Sequence, residues 1–250
     1  MATQDPQIYK LSPSDFAFLY KECKRCYYQK IRDGKYRPYQ PMPSIFNTID
    51  KAMKVAFEGG LDEQGQIREY EDRPFLNQID PDLPHARVFE SNLKVQSDAI
   101  LFEDINVAVY VAGEMDTLLI YEDGSYGVGD GKSTAVKPEY VDLYSHQLHA
   151  YAFALSRPGA GKPKRTPVKH LGLLIFDPSL GFFPSGDAKA TLHGHLKWLE
   201  VPIDSSKFKK FLKEIATLLS TEELPKSGAR CSYCRYLSQN GIEIDFESEE

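Results

Sequence analysis

Residues 113–134 read Gly113-Glu114-Met115-Asp116-Thr117-Leu118-Leu119-Ile120-Tyr121-Glu122-Asp123-Gly124-Ser125-Tyr126-Gly127-Val128-Gly129-Asp130-Gly131-Lys132-Ser133-Thr134. Two apolar runs, Thr117 to Tyr121 and Tyr126 to Asp130, flank Glu122-Asp123-Gly124-Ser125, which is turn chemistry, so they read as neighbouring strands of a hairpin. Asp116 stands just before the first run, and Asp130 and Lys132 end the second. Alternate residues of a strand share a face, so Asp130 and Lys132 point together. Pro138 then opens a helix in which Tyr140, Leu143, Tyr144, Gln147, Leu148 and Tyr151 form one stripe, with Gln147 and Tyr151 four apart on the same face.

On either side the periodicity continues this pattern. Val88 to Val95 and Val107 to Ala112 read as further strands, parted by the turn residues Glu103-Asp104, so that 87–132 forms an antiparallel meander. Beyond the central helix, Val168 to Phe176 is an apolar run suited to a buried strand, and Thr191 to Ile203 alternates like another. Helical patterns occupy the ends. Ser12 is a candidate N-cap with Pro13 at the first helical position, and Phe16, Leu19, Tyr20 and Cys23 line one face of a helix over 12–32. Ile45, Ile49, Ala52, Met53, Ala56 and Phe57 mark a second helix that Gly59-Gly60 ends, before a polar loop over 61–84. Ser205 to Ser220 forms the last, with Phe208, Phe211, Leu212 and Ile215 on its apolar face.

The chain has 250 residues, 42% of them hydrophobic, and a net charge of -6. That suits one globular domain over 1–250 with its own core. No apolar run reaches the roughly 20 residues of a membrane span, and the first residues lack the basic and apolar regions of a secretory signal. A cytoplasmic location with no membrane partner is the expectation. Mild acidity argues against non-specific coating of nucleic acid, which needs a broad basic surface, but leaves room for one basic groove.

The chemistry that the central stretch offers is phosphodiester hydrolysis. Such hydrolysis uses a divalent ion to activate water and to neutralise developing charge, and hard ions such as Mg²⁺ or Mn²⁺ prefer carboxylate and carbonyl oxygens. Asp116 and Asp130 offer carboxylates, Gly131 a carbonyl, and Lys132 an ammonium that orients the attacking water or stabilises charge. A D-x-K pair alone is commonly a solvated surface pair; the preceding G-x-x-D and the following Q-x-x-x-Y make this one more specific. Gln147 and Tyr151 are expected to contact the DNA strand or the lysine.

The four cysteines all fall in two C-x-x-C pairs, Cys23/Cys26 and Cys231/Cys234. Each pair alone is a weak signal, but four thiolates together suit tetrahedral Zn²⁺ or an iron–sulfur cluster. Joining the pairs would cross-link the two ends of the chain. Lys24, Arg25, Arg230 and Arg235 would offset thiolate charge. Among the six histidines, His146 and His149 flank Gln147, while His193 and His195 alternate on a strand as a solvent-facing pair.

The order Gly113-x-x-Asp116, Asp130-x-Lys132, Gln147-x-x-x-Tyr151 resembles the PD-(D/E)xK nuclease superfamily, in particular its RecB-like exonuclease branch. The opening helix leading to Cys23 and the closing Cys231-x-x-Cys234 resemble that branch's cysteine-cluster members, which include CRISPR-associated exonucleases. The resemblance implies an α/β fold with a central mixed β-sheet flanked by helices, resembling restriction endonucleases, and termini joined by the cysteine-ligated cluster. It also implies Mg²⁺- or Mn²⁺-dependent DNA cleavage, an iron–sulfur cluster ([4Fe–4S] ahead of [2Fe–2S], with Zn²⁺ the alternative), and partners that are DNA and proteins of repair or CRISPR adaptation. Two departures stand out. Where the family often carries a metal-binding His, this chain has Asp50, so Asp50 or Glu90 is the candidate third acidic ligand. The cysteines are arranged two and two rather than one and three, with Cys26 in place of a third near Asn240.

Overall fold

The computed structural model describes residues 5–39, 41–57 and 76–248. In chain order the main elements are β1 (Gln7–Leu11), α1 (Pro13–Asp15), α2 (Lys24–Asp33), α3 (Ser44–Phe57), β2 (Ala86–Gln96), β3 (Ile100–Phe102), β4 (Val107–Tyr121), β5 (Tyr126–Ser133), α4 (Tyr140–Ser156), β6 (Val168–Gly186), β7 (Lys189–Glu200), α5 (Ser205–Ser220) and α6 (Ser232–Gln239). The strands form one mixed, seven-stranded sheet with helices on both faces.

The spine of the sheet is β4. It is a single strand of 15 residues, although Gly113-Glu114-Met115-Asp116 interrupts its apolar pattern and makes it read as two. One edge pairs antiparallel with β2 and β3. On the other edge β1 runs parallel to Val107–Val111, and β5 runs antiparallel to Thr117–Ile120. Residues 112–116 lie between β1 and β5, where that edge of β4 is left open. The apolar pattern breaks there, where Glu114 is exposed and Asp116 half-buried at the open edge. The sheet continues through β6, parallel to β5, and β7, antiparallel to β6. Of the expected meander, the antiparallel steps β2 to β4 and β4 to β5 are present, the step between 107–112 and 117–121 is absent because both runs belong to β4, and two parallel pairings are added.

The expected first helix is divided. Pro13–Asp15 continues as a π-helical turn, Phe16–Tyr20, and the backbone then extends at Cys23 (φ -161°, ψ 103°) before α2 begins. Gly34, in the left-handed region at φ 67°, closes α2. The expected Gly59-Gly60 stop and most of the 61–84 loop lie outside the described residues.

One face of the sheet buries Val107, Val109 and Val111 against Phe211, Leu212 and Ile215 of α5, and Leu118, Val128 and Leu173 against Leu148 and Leu155 of α4. The opposite face packs Leu119, Leu174 and Trp198 under Met53 and Phe57 of α3. Each such fully buried aliphatic side chain is worth about 1.5–3 kcal/mol relative to exposure. The Trp198 indole lies flat on Gly172, where an added Cβ would stand 2.1 Å from the ring. No helix among the described residues is long and apolar enough to cross a membrane.

Candidate active site and cysteine centre

The hairpin register sets Thr117 opposite Gly129. One step further along, the strands part, with Asp116 on β4 and Asp130 on β5. Asp116 is held from two sides: its Oδ2 accepts from the Gly131 N–H at 3.1 Å, and its Oδ1 pairs with Lys54 Nζ at 3.1 Å. Lys54 also pairs with Asp50 Oδ2, one turn earlier on α3, at 3.1 Å. A single ammonium therefore stands between two carboxylates. Burial works against the Lys54 charge, but Asp116 and Asp50 together raise its pKa. Asp50, Lys54, Asp116, Asp130 and Gly131 line one pocket beneath α3.

Asp130 is 3% exposed. Burial is the main cause of its raised pKa, opposed by Lys132 and reinforced by Asp116. Its Oδ2 forms an ion pair with Lys132, and its Oδ1 accepts from Gln147 Nε2 at 3.0 Å. Burial also disfavours the Lys132 ammonium, but Asp130 prevails and raises the lysine pKa. Lys132 Nζ lies 4.7 Å from the Tyr144 ring centroid, a cation–π contact. A second, adjoining pocket carries Lys132 on its wall together with Phe18, Phe46, Tyr140 and Tyr144, and shares Asp50 and Gly131 with the first.

Gln147 and Tyr151 do share a face of α4, but that face is buried, at 4% and 3% exposure. The Tyr151 hydroxyl donates to the Glu114 carbonyl at 2.8 Å, two residues before Asp116. Both side chains therefore brace the site from beneath the sheet, one on Asp130 and one on the open stretch of β4. The expected contact to a DNA strand gives way to this because α4 packs its stripe against the sheet. Gly113 has a steric reason: a Cβ there would come within 2.9 Å of Pro13, whose ring presses on β4 at its open edge.

The sequence-expected residues Asp116, Asp130, Gly131, Lys132 and Asp50 thus converge. Glu90 does not join them: it stands opposite Leu118, on the edge of β4 away from β5, just after a bulge. Asn92, in the left-handed region at φ 52°, instead turns its Oδ1 toward Lys54, at 3.1 Å. Lys54, Asn92 and Tyr144 were missed by sequence reasoning. Only Lys54 had a signal, its spacing of four from Asp50 on a helix.

The four cysteines also converge. Each is 3% exposed or less, and their sulfurs all lie within 4.8 Å of one another. Cys23 and Cys231 precede α2 and α6, so each C-x-x-C pair sits at a helix start. Hydrogen bonds from Cys26 chiefly, and from Ser227 and Gly228, lower the Cys23 pKa, whereas the neighbouring Cys23 raises that of Cys26 and burial raises that of Cys234. Of the histidines, His193 and His195 face solvent. His146 stacks on Phe211 at 3.7 Å, and His149 accepts from the Asp204 N–H at 2.8 Å.

A family model described as the PD-(D/E)XK nuclease superfamily matches residues 47–239. No curated protein matches the chain. Among solved structures, the crystal structure of SSO0001 is similar at 11% identity and a TM-score of 0.46, over 88% of this chain and 79% of that one.

Proposed function

The chain belongs to the PD-(D/E)XK nuclease superfamily, and on that premise we propose that it is a Mg²⁺- or Mn²⁺-dependent deoxyribonuclease acting from the ends of single-stranded or unwound DNA. The observation that carries this reading is the convergence of Asp116, Asp130, Gly131 and Lys132 at the open edge of β4, beside a pocket that reaches Lys132. The donor set fits a hard divalent ion: carboxylate oxygens, a nearby carbonyl, and a carboxylate pair that already attracts the Lys54 ammonium. Asp116 and Asp130 would hold the ion, with Asp50 as a third carboxylate. When bound, such an ion activates water and neutralises phosphoryl charge.

The chain's own groups do the rest. Lys132, kept charged by Asp130, presents its ammonium to the attacking water and to the oxygens of the scissile phosphate. Gln147 fixes the Asp130 carboxylate, and Tyr151 fixes the backbone that carries Asp116. Phe18, Phe46 and Tyr140 give the adjoining pocket aromatic walls on which unpaired bases can stack, which supports a single-stranded substrate. In this reading the partners are DNA and the repair or CRISPR-adaptation proteins that supply its ends, in a cytoplasm where thiols stay reduced.

A second reading has its own observation. Lys54 bridges Asp50 and Asp116 where a cation would sit, as in a catalytically silent nuclease fold that binds DNA or assembles a complex. One assay separates the two, using end-labelled linear and closed circular single strands with Mg²⁺ or Mn²⁺. Metal-dependent loss of the linear strand by the wild type, abolished in Asp116→Asn, is expected. Wild-type protein that binds both strands and cuts neither would replace the enzyme with the silent fold.

A further inference from the structure

The carboxylate site makes no use of the cysteines, and their spacing carries an assignment of its own. Cys26 Sγ lies 3.4 Å from Cys234 and 3.8 Å from Cys231, and Cys23 Sγ lies 3.9 Å from Cys234. Four thiolates bound to one tetrahedral zinc at about 2.3 Å stand about 3.8 Å from one another. A cube of four irons and four sulfides puts an iron behind each thiolate and spreads the cysteine sulfurs to about 6 Å apart. A two-iron cluster divides its thiolates into two close pairs with a wide gap between them. Here no such gap exists, since Cys26 is close to both Cys231 and Cys234, and every sulfur lies within 4.8 Å of the others.

We propose that Cys23, Cys26, Cys231 and Cys234 form a closed structural site for a single tetrahedral zinc ion, not for the iron–sulfur cluster that the family resemblance implies. The surroundings suit four thiolates on one divalent ion, which together carry two excess negative charges. The Gly228 N–H donates to Cys23 Sγ at 3.4 Å, the Cys234 N–H to Cys231 Sγ at 3.4 Å, and Arg37 Nη2 to Cys231 Sγ at 3.1 Å. Ser227 Oγ adds a contact to Cys23 at 3.5 Å. Such outer contacts orient metal-bound thiolates and spread their charge, and the Arg37 guanidinium adds a full positive charge. Gly228 also has a steric role: a Cβ there would stand 2.0 Å from the Glu22 carbonyl oxygen, so only glycine lets the C-terminal knuckle close on the N-terminal one. With all four sulfurs buried, no coordination position faces solvent, as in structural rather than catalytic zinc sites.

The test is elemental analysis and spectroscopy of the full-length wild-type protein, purified without chelators and without oxygen, then challenged with ferrous iron and sulfide. About one zinc per chain, a colourless protein, and retention of zinc through the challenge are expected. Cobalt exchanged into the site should show the visible d–d bands of tetrahedral thiolate coordination. A brown protein carrying iron and acid-labile sulfide, before or after the challenge, would overturn the assignment. So would a folded, metal-free protein with all four thiols free. None of these readouts depends on nuclease activity.

Discussion

The carboxylate site and the cysteine site are both clusters of ligand-type side chains, yet they are built in opposite ways. The first draws Asp116, Asp130, Gly131 and Lys132 from two adjacent strands and adds Asp50 from the helix above them. It uses hard oxygens, balances them with two lysines, and opens through Gly131 and Lys132 to a pocket. The second draws soft sulfurs from the two ends of the chain, seals them from solvent and surrounds them with N–H donors. An open site can exchange ligands during a reaction, whereas a closed one can only hold the fold together. On the proposed reading of the two sites, chemistry and cohesion are separated in this molecule.

If that separation is right, each site can be removed without removing the other. Replacing the buried ion pair by its uncharged isosteres, Asp130→Asn with Lys132→Met, should lower metal-dependent cleavage by about 10³-fold or more. Stability should be unchanged or slightly higher, because a buried ion pair barely repays its desolvation. Cys234→Ser should do the reverse, lowering stability by roughly 3 kcal/mol or more and Tm by about 10 °C. In that variant the remaining folded protein should keep its specific activity. Assays and thermal melts on the two variants, side by side, break the contrast if both lose both properties.

A smaller effect sharpens the boundary between the sites. Tyr151→Phe removes one buried hydrogen bond, to the Glu114 carbonyl. It should cost about 1–2 kcal/mol of stability, and cleavage should fall several-fold through the turnover rate rather than through DNA affinity. A purely structural tyrosine would change the melt alone.

The smallest effect concerns pH. His146 stacks on Phe211 of α5, and burial, then Lys21, His149 and Lys207, lower its pKa from 6.5 to about 4. The unfolded chain therefore takes up this proton near pH 6.5, while the folded chain resists until about pH 4, so stability falls as pH drops through that window. His146→Asn should flatten the fall by a fraction of about 1.4 kcal/mol per pH unit, since solvent screens a partly exposed ring. Chemical denaturation at pH 7 and pH 4.5 measures it, and equal losses in both proteins would remove His146 as the cause.

Legibility followed the range of the interactions. The helix α5 could be read directly because Phe208, Phe211, Leu212 and Ile215 repeat at helical spacing and all meet the core. The hairpin of β4 and β5 was equally plain, since its turn and its two strands are contiguous. By contrast, β1 is only five residues long and exists through its parallel pairing with Val107–Val111, about a hundred residues away. The division of the first helix at Cys23 likewise answers to a thiol partner at Gly228. Glu90 and Asn92 show the limit at the site itself. Both are polar residues on β2, and only the bulge and the left-handed backbone around them decide that Asn92, not Glu90, turns toward Lys54.

By itself the sequence determined the types of chemistry and where along the chain they lie: two aspartates and a lysine beside a turn, a buried-face helix behind them, and cysteines in two spaced pairs. These are properties of residue type and short spacing, which local geometry translates directly. The tertiary structure alone decided which edge of β4 stays open, that Lys54 stands between Asp50 and Asp116, and that four sulfurs gather within 4.8 Å. Those outcomes depend on strand register and on contacts between residues far apart in the chain. Local spacing does not encode such contacts; they arise when packing forces burial of each apolar face at once.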